Sequence, residues 1–213
     1  MPEIHPTEIY LIRHAETVMN TNPDLVGGLS HETPLTPKGI NQAKRLGRVM
    51  LAKKILPTRI FASPSLRALD TAQYSLIEMG LDVQPLIVEA IQELDQGSAE
   101  GKSRTEVFTD DVLKEIAKVG KAFKLDGGES MDDVGRRMHT WITETFTQPN
   151  VGEAQRYFVY THGGSIKYLA SRLLGWDELQ TYQTQIDNTS VNLFTMTDGA
   201  IELEYLNRDV EEI

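Results

Sequence analysis

The sequence predicts an α/β fold: a three-layer sandwich with a mostly parallel central sheet that is flanked by helices and has an antiparallel edge near the C-terminus. Short apolar runs at residues 9–12, 60–62, 86–88 and 157–160 predict strands, and continuous runs of this length are typical of strands covered on both faces. Segments with helical periodicity separate these runs, which favours right-handed crossovers between parallel strands. Asp198-Gly199 between two further apolar runs predicts a terminal β-hairpin.

Four segments carry helical periodicity together with a terminal cap. They begin at Thr36-Pro37, at Ser65, at Ser130 and close to Ile166. Gly80 and Gly175 follow the second and the fourth segment, where a helix commonly ends. Residues 92–126 are less regular and predict loops and short helices over one end of the sheet. No repeat or linker-like stretch divides the chain, so we expect one domain over residues 1–213.

The charge balance and the absence of cysteine narrow the classes of protein to which this chain can belong. Lys and Arg number 21 against 31 Asp and Glu, which gives a net charge of −10. Nucleic-acid binding depends on clustered Lys and Arg, so we expect no nucleic-acid partner. Without cysteine, the chain has no disulfide, no thiolate metal ligand and no cysteine nucleophile. The sequence shows neither an apolar stretch of roughly 20 residues nor a signal-peptide pattern, so we expect no membrane partner and a cytoplasmic location.

The residues that follow the predicted strands carry most of the chemistry in this sequence. Arg13-His14 follows the first run, Arg67 comes shortly after the second, Glu93 comes after the third, and His162-Gly163 lies just beyond the fourth. Ligand sites of open α/β sheets form at the carboxyl ends of the strands. If the four strands are parallel, two histidines, two arginines and one glutamate converge at one edge of the sheet.

These side chains suit the transfer of a phosphoryl group. Two guanidinium groups can bind phosphoryl oxygens bidentately and stay charged at any accessible pH. A neutral imidazole can attack phosphorus, and a second one can donate to an oxygen as charge moves in the transition state. A glutamate can supply the proton of the leaving oxygen and then act as a base for water. Taken singly, each residue is more often an ordinary surface or core residue, so the prediction depends on their joint position at the strand ends.

Five short motifs occur in order between residue 9 and about residue 195. They are Arg13-His14-Ala15-Glu16-Thr17 with Asn20, Ser63-Pro64-Ser65-Leu66-Arg67-Ala68 with Thr71-Ala72, Glu93 with Glu100-Gly101, Gly127-Gly128-Glu129-Ser130, and Thr161-His162-Gly163-Gly164. In content and in order, these motifs closely resemble the histidine phosphatase superfamily, in its phosphoglycerate-mutase-like branch. The resemblance covers nearly the whole chain.

The resemblance implies a role for each matching residue. His14 would be the nucleophile that becomes phosphohistidine, and Glu93 would give its proton to the leaving group. Five further groups would hold the transferred phosphoryl group: the side chains of Arg13, Asn20, Arg67 and His162, and the backbone N–H of Gly163. Because arginine and histidine supply the positive charge, the resemblance implies neither a metal ion nor a cofactor.

Two departures from the family pattern bear on the reaction. Ala15 stands where the family most often has glycine. The Arg-x-Tyr-Gly stretch that follows the catalytic glutamate of the mutases is absent, because the sequence continues as Leu94-Asp95-Gln96-Gly97. We therefore favour a metal-independent phosphatase that acts on a small phosphate monoester. A cofactor-dependent phosphoglycerate mutase and a phosphoryl-binding protein without turnover are the alternatives, and the sequence indicates neither the substrate nor the oligomeric state.

Two less regular segments are expected to influence specificity. The loop at residues 21–33 contains Ser30 and His31, which can touch a substrate, although a plain surface loop fits the pattern equally well. Residues 95–126 form the second segment. For Glu129-Ser130, which comes shortly after it, the role of Ser130 as a helix cap explains the local pattern better than a role at the site, with indirect contact of Glu129 to the catalytic residues as the alternative.

Overall fold

A six-stranded mixed sheet forms the centre of the protein, in a computed structural model that describes residues 4–22, 24–146, 150–151 and 154–213. The described strands are, in chain order, β1 (Ile4–His5), β2 (Thr7–Arg13), β3 (Arg59–Ala62), β4 (Leu86–Ile87), β5 (Asn150–Val151), β6 (Arg156–Thr161), β7 (Val191–Thr197) and β8 (Ala200–Arg208). The order in the sheet is β4-β3-β6-β2-β7-β8, and β1 pairs with β5 in a separate two-stranded sheet.

The parallel strands of the sheet end side by side. β4, β3, β6 and β2 run parallel to one another, whereas β7 and β8 add an antiparallel edge. Arg13 at the end of β2 pairs with Thr161 at the end of β6, and Ala62 at the end of β3 pairs with Tyr160. The predicted sheet, mostly parallel with an antiparallel edge near the C-terminus, is therefore confirmed.

Helices cover both faces of this sheet. The described α-helices are α1 (Pro37–Ala52), α2 (Leu66–Glu78), α3 (Arg104–Val107), α4 (Asp110–Val119), α5 (Met131–Thr145), α6 (Gly163–Leu174) and α7 (Glu178–Gln183). α1 and α2 pack on one face, and α5 and α6 pack on the other, so the predicted three-layer sandwich is confirmed. No helix in the described ranges is long and apolar enough to cross a membrane.

The side chains of β2 alternate between the two cores. Ile9 and Leu11 are fully buried among residues of α5 and α6, and Tyr10 and Ile12 are buried among residues of α1 and α2. A strand that is covered on both faces needs a continuous apolar run, which is the pattern seen in the sequence. Packing from both sides therefore supports the backbone from which Arg13 and the following residues leave the sheet.

The caps predicted at Thr36, Ser130 and Gly175 are present, whereas Ser65 precedes α2 without a side-chain hydrogen bond to it. The hydroxyl of Thr36 accepts a hydrogen bond from the backbone N–H of Gly39 at 3.0 Å. Ser130 and Asp133 form a reciprocal capping box at the start of α5. Gly175 ends α6 with a φ of 66°, a left-handed conformation that glycine adopts without a Cβ clash.

The strand predicted at residues 86–88 is present, but the prediction that it is covered on both faces is wrong. β4 contains only Leu86 and Ile87, whose exposed fractions are 56% and 54%. β4 forms the edge of the sheet beside β3, so its side chains lack the covering layers that surround the central strands. An apolar run indicates a buried strand only where other elements pack over it.

Residues 95–126, called the cap segment below, are irregular as predicted. They contain α3, α4 and two 3₁₀ turns, at Gly97–Ala99 and Gly120–Ala122. The backbone N–H of Gly101 donates to Val26, and the backbone N–H of Val26 donates to Lys102, both at 2.9 Å. These bonds join the cap segment to the loop that follows β2.

Candidate active site

A small cavity, called the edge cavity below, opens where β2, β3 and β6 end. Its volume is about 120 Å³, and its lining includes five of the predicted site residues, Arg13, His14, Asn20, Arg67 and Glu93. Gly163 lies against the Arg13 guanidinium in an adjoining hollow. His162 is fully buried, and its ring centroid lies 5.3 Å from that of His14. The structure therefore brings all seven predicted residues to the carboxyl edge of the parallel strands.

His14 is the first residue after β2 and is buried. Its ring Nδ1 lies 2.8 Å from the carbonyl oxygen of Ala15. Because a carbonyl oxygen only accepts, Nδ1 carries the hydrogen, and Nε2 of the neutral ring is unprotonated. Burial lowers the pKa of His14 well below the usual 6.5, and the positive charges of Arg67 and Arg13 lower it further. The site therefore keeps the imidazole neutral.

Arg13 brings a buried positive charge to the edge cavity. One terminal nitrogen of its guanidinium donates to the carbonyl of Ile186, but its buried Nε has no hydrogen-bond partner among the described residues. A Cβ on Gly163 would lie 3.2 Å from this Nε, so glycine lets the guanidinium approach the start of α6. Burial lowers the pKa of Arg13, whereas Glu93 and Asp187 raise it. An arginine stays cationic under such shifts, and its free N–H suits an oxyanion.

Arg67 lies in the first turn of α2 and is hydrogen-bonded to the loop after β2. Its terminal nitrogens donate to the carbonyls of Gly28, Leu29 and Ser30, at 2.9, 2.9 and 2.8 Å. Its Nε donates to Nδ1 of His162 at 3.3 Å. A guanidinium has five N–H groups, so one N–H of Arg67, on Nη2, is left for a ligand.

The same loop is also held by a carboxylate of the cap segment. Glu100 accepts hydrogen bonds from the backbone N–H groups of Leu29 and Ser30, at 2.6 and 3.2 Å. Ser30, which has a left-handed φ of 32°, lines the edge cavity, whereas His31 is exposed and lies outside the lining. Of the two loop residues singled out from the sequence, only Ser30 borders the cavity.

His162 lies outside the edge cavity and is hydrogen-bonded to Arg67 and to two serines. Its Nε2 lies 2.8 Å from the hydroxyl of Ser63 and 3.3 Å from that of Ser65. Because Nδ1 accepts from Arg67, Nε2 carries the ring hydrogen and donates to Ser63. Burial lowers the pKa of His162 well below 6.5, and the charge of Arg67 and the ring of His14 lower it further. The two ring nitrogens are thus both engaged, and the ring does not line the edge cavity.

Glu93 reaches the start of α6 from the segment after β4. One of its oxygens accepts from the backbone N–H of Gly164 at 3.0 Å, and the other accepts from the N–H of Leu94 at 2.8 Å. A Cβ on Gly164 would lie only 2.1 Å from Oε1 of Glu93, the oxygen that accepts from Leu94. Glycine at position 164 is therefore required for the carboxylate to lie at the helix N-terminus, where the helix dipole favours negative charge.

Arg137 on α5 holds the backbone that carries Glu93. It donates to the carbonyls of Ala90, Gln92 and Glu93, each at 2.9 Å. It also binds both carboxylate oxygens of Glu129 at 2.9 Å. Glu129 thus contacts Glu93 indirectly, through the Arg137 guanidinium. No sequence signal singled out Arg137, because an arginine on an amphipathic helix is usually solvated.

Asn20 and Asn188 connect the end of β2 to the segment before β7. The side-chain oxygen of Asn20 accepts from the backbone and the hydroxyl of Thr17, at 3.0 and 3.1 Å, which leaves its NH₂ group for a ligand. Asn188 donates to the carbonyl of His14 at 2.9 Å and lies 3.3 Å from the same Asn20 oxygen. Asn188 belongs to no motif recognised in the sequence, and its contact with His14 depends on the tertiary fold.

Positive charge dominates the edge cavity, although the chain as a whole carries −10. Its lining contains two guanidinium groups, those of Arg13 and Arg67, and one carboxylate, that of Glu93. Within the parts of the chain that the structure describes, no three His, Cys, Asp or Glu side chains are grouped as ligands of a metal ion. The edge cavity is therefore suited to a compact anion held by charge-assisted hydrogen bonds.

Several known proteins share this fold and sequence pattern. A model of the histidine phosphatase superfamily (branch 1) matches residues 9–209. A protein of Hydrogenobacter thermophilus, provisionally named phosphoserine phosphatase 2, is 29% identical over 203 residues, 94% of this chain and 95% of that protein. A Salmonella paratyphi C protein, provisionally named phosphoglycerate mutase GpmB, is 26% identical over 188 residues, 87% of this chain and 83% of that protein. The solved structure of a mycobacterial glucosyl-3-phosphoglycerate phosphatase has a TM-score of 0.80 at 23% identity and covers 96% of this chain and 100% of its own.

Fold and cavity together define an α/β protein with a cationic cavity, suited to a compact anion, beyond the ends of its parallel strands. Within that class, the family match extends over almost the entire chain. The chain belongs to the histidine phosphatase superfamily, branch 1. The resemblance drawn from the five sequence motifs is therefore confirmed.

Proposed function

We propose that this protein is a metal-independent phosphatase, formed by one domain over residues 1–213, which hydrolyses a small phosphate monoester through a phosphohistidine on His14. The observation that carries the proposal is the 2.8 Å hydrogen bond between Nδ1 of His14 and the Ala15 carbonyl. This bond leaves Nε2 unprotonated in a cavity that also contains Arg13 and Arg67. Membership of the superfamily and the 29% identical relative named as a phosphatase support the proposal.

In the first step, Nε2 of His14 attacks phosphorus, and the bond between phosphorus and the ester oxygen breaks. The leaving oxygen takes the proton of the Glu93 carboxylic acid, so an alcohol departs instead of an alkoxide. The phosphorylated ring carries a positive charge, which the Ala15 carbonyl stabilises by accepting the hydrogen bond from Nδ1.

In the second step, the Glu93 carboxylate takes a proton from a water molecule as that water attacks phosphorus. The bond between phosphorus and Nε2 breaks, and the electron pair returns to His14. Inorganic phosphate leaves, His14 is again neutral, and Glu93 again holds a proton. Glu93 and His14 line the same cavity, so the carboxyl group can reach the leaving oxygen and the attacking water. The hydrogen bond from the Gly164 N–H favours the charged carboxylate, which is the base of this second step.

The phosphoryl oxygens are held by donors that surround His14. These donors are the guanidinium groups of Arg13 and Arg67, the side-chain amide of Asn20, the ring of His162 and the backbone N–H of Gly163. Arg13 contributes its unpaired Nε, and Arg67 contributes its remaining N–H. His162 joins them if its tautomer changes and its bond with Arg67 breaks, so that Nε2 accepts from the Ser63 hydroxyl and Nδ1 donates to the phosphoryl group. The Nε–H of Arg67 is then also free to bind a phosphoryl oxygen.

A phosphoglycerate mutase is the second candidate. The 26% identical relative provisionally named as a mutase favours it, whereas the sequence Leu94-Asp95-Gln96-Gly97 after Glu93 lacks the arginine and tyrosine of the mutase pattern. A mutase would convert 3-phosphoglycerate to its isomer faster than it releases phosphate, after priming with a bisphosphorylated glycerate. We expect phosphate release to be the faster reaction.

The proposal is tested by following phosphate release from 4-nitrophenyl phosphate, O-phosphoserine and 3-phosphoglycerate in excess EDTA. We expect at least one ester to be hydrolysed at the same rate with and without the chelator. Loss of turnover in EDTA, with recovery on addition of a divalent cation, would contradict metal independence. Isomerisation of primed 3-phosphoglycerate that outpaces its hydrolysis would identify a mutase.

The acid limb of the kcat/KM profile is expected to lie well below the usual histidine pKa of 6.5, because kcat/KM reports the free enzyme and burial lowers the pKa of His14 there. Burial, Arg67 and Arg13 lower the pKa of His14 from 6.5, and only the neutral ring can attack. On the acid side of the profile, activity therefore falls only as the pH falls through this lowered pKa, and the His14 ring stays reactive where an ordinary histidine is already protonated. Measuring kcat/KM from about pH 4.5 to 8, roughly the range in which such a domain stays folded, checks this expectation. Circular dichroism at each pH is the control for unfolding. An acid limb centred at or above the usual histidine value would contradict it.

Replacing Gly164 with alanine is expected to lower kcat by about 10- to 100-fold with little loss of stability, because small displacements of a reacting group are costly. The new Cβ would lie 2.1 Å from Oε1 of Glu93, so the carboxylate must move. Gly27→Ala is the matched control, because a Cβ at Gly27 meets no atom within 4 Å although Gly27 lines the same cavity. Steady-state kinetics and thermal melts check both variants, and equal losses in the two would contradict the argument.

A further inference from the structure

The apolar face of α4 does not enter a core. No residue of α4 is buried, and Leu113 on its apolar face is 50% exposed. Leu113 and Ile116 instead line a cavity of about 690 Å³, called the cap cavity below, together with Phe108 and Phe123. Ligand cavities typically measure about 300–1,000 Å³ and are mostly apolar. In size and lining, the cap cavity therefore matches a site for an organic ligand.

The cap cavity adjoins the candidate active site. Its lining includes Leu94, which directly follows Glu93, and Tyr168, whose ring lies 3.1 Å from where a Cβ of Gly164 would stand. The ring and the Glu93 carboxylate thus flank the same glycine. Lys167 lines both the cap cavity and the hollow beside Glu93. An ester whose oxygen receives the proton of Glu93 can therefore extend its organic group into the cap cavity.

Positive charge borders this apolar cavity. Its lining includes the side chains of Arg104, Lys124 and Lys167, and none of them forms an ion pair within the described parts of the chain. Glu129 is also in the lining, but Arg137 binds its carboxylate. In a chain with a net charge of −10, this local excess of cations attracts an anionic ester toward the two cavities, whereas the apolar lining is the part that contacts its organic group.

We propose that the cap cavity binds the organic part of the substrate, and that the substrate is the phosphate monoester of a bulky apolar alcohol. This inference rests on the proposed phosphatase function and names the class of ester that the same site hydrolyses. The phosphoryl group lies in the edge cavity, while the hydrocarbon body lies against Phe108, Leu113 and Ile116. An alcohol that is small and polar would leave these side chains in contact with water and gain nothing from them.

The test compares ethyl, butyl and hexyl phosphate as substrates of the intact protein. Their alcohols have nearly the same acidity, so the series changes the buried apolar area and leaves the chemistry of the leaving group unchanged. We expect kcat/KM to rise by up to about fourfold for each added methylene, which places hexyl phosphate, with four more methylenes, up to about 250-fold above ethyl phosphate. Equal kcat/KM values for the three esters would overturn the proposal.

A tryptophan at position 113 tests whether the cap cavity is responsible. Leu113→Trp fills part of the cavity, so we expect it to lower the ratio of kcat/KM for hexyl phosphate to kcat/KM for ethyl phosphate to about one. Lys114→Trp is the matched control, because Lys114 is the next residue of α4 and its side chain is 76% exposed. The preference should persist in that variant. Equal effects of the two substitutions would overturn the assignment to the cap cavity.

Binding of the corresponding alkylphosphonates separates this inference from the proposed function. These compounds cannot be hydrolysed, so calorimetry measures their Kd whether or not the protein turns over any ester. If no ester is hydrolysed, the phosphatase proposal fails, and the phosphonate series still decides what the cavity binds. Tighter binding of hexylphosphonate than of ethylphosphonate, lost in Leu113→Trp, supports the cavity. Equal Kd values along the series would overturn it.

Discussion

Replacing His14 with alanine is expected to lower kcat for every phosphate monoester by about 10⁴-fold or more, because the variant lacks the nucleophile of the two-step reaction. The neighbouring Arg13 and Arg67 remain and can still bind phosphate, so the variant should still bind the ester although it does not hydrolyse it. Steady-state phosphate release measures the loss. Quenching in alkali with a ³²P-labelled ester, followed by peptide mapping, should place the label on His14 in the wild type and find none in the variant.

His139→Ala is the control for this substitution. His139 lies on α5, outside the lining of the edge cavity, so its loss should leave both the rate and the labelling unchanged. Full activity in His14→Ala, or labelling at a different residue, would contradict the proposed intermediate.

Glu93→Gln is expected to lower kcat/KM for an alkyl phosphate by about 10²- to 10⁴-fold, because an alkoxide leaves poorly without a proton. For 2,4-dinitrophenyl phosphate the loss should be below about tenfold, since that leaving group needs no protonation. kcat/KM reports the steps up to formation of the phosphohistidine, so the comparison isolates the role of Glu93 as an acid. Parallel kinetics with the two esters provide the measurement.

Glu89→Gln serves as the matched control, because Glu89 is an exposed carboxylate in the turn that precedes Glu93. It should leave kcat/KM unchanged for both esters. An equal loss of both activities in Glu93→Gln would indicate that Glu93 positions the site without protonating the leaving oxygen.

Most large elements of the fold could be predicted from local patterns. β2 was recognisable because two packed faces require a continuous apolar run, and α5 because Ser130 and Asp133 form its cap. α7 and the two-residue strands β1 and β5 were not predicted, since they are too short to display a period. The exposure of Leu86 and Ile87 depends on which strand lies at the sheet edge, and the strand order is a tertiary property that local sequence does not encode.

The residues of the candidate site also divide into those that local patterns reveal and those that depend on the tertiary fold. Arg13, His14 and His162 were predictable because they end a strand or follow one directly, and the register of parallel strands makes such positions adjacent. Arg137 and Asn188 reach the site from a helix interior and from a loop, where no local pattern distinguishes them from surface residues. Their contacts with the backbone of Glu93 and of His14 exist only after the chain has folded.

Arg67 uses one guanidinium to hold both the loop after β2 and the second histidine. Four of its five N–H groups are already used, three by the carbonyls of Gly28, Leu29 and Ser30 and one by Nδ1 of His162. A phosphoryl group that takes two N–H groups from this guanidinium must therefore displace either a loop carbonyl or His162. The same competition applies to inorganic phosphate at the end of the reaction, so these protein groups weaken the hold of a buried cavity with two positive charges on its product.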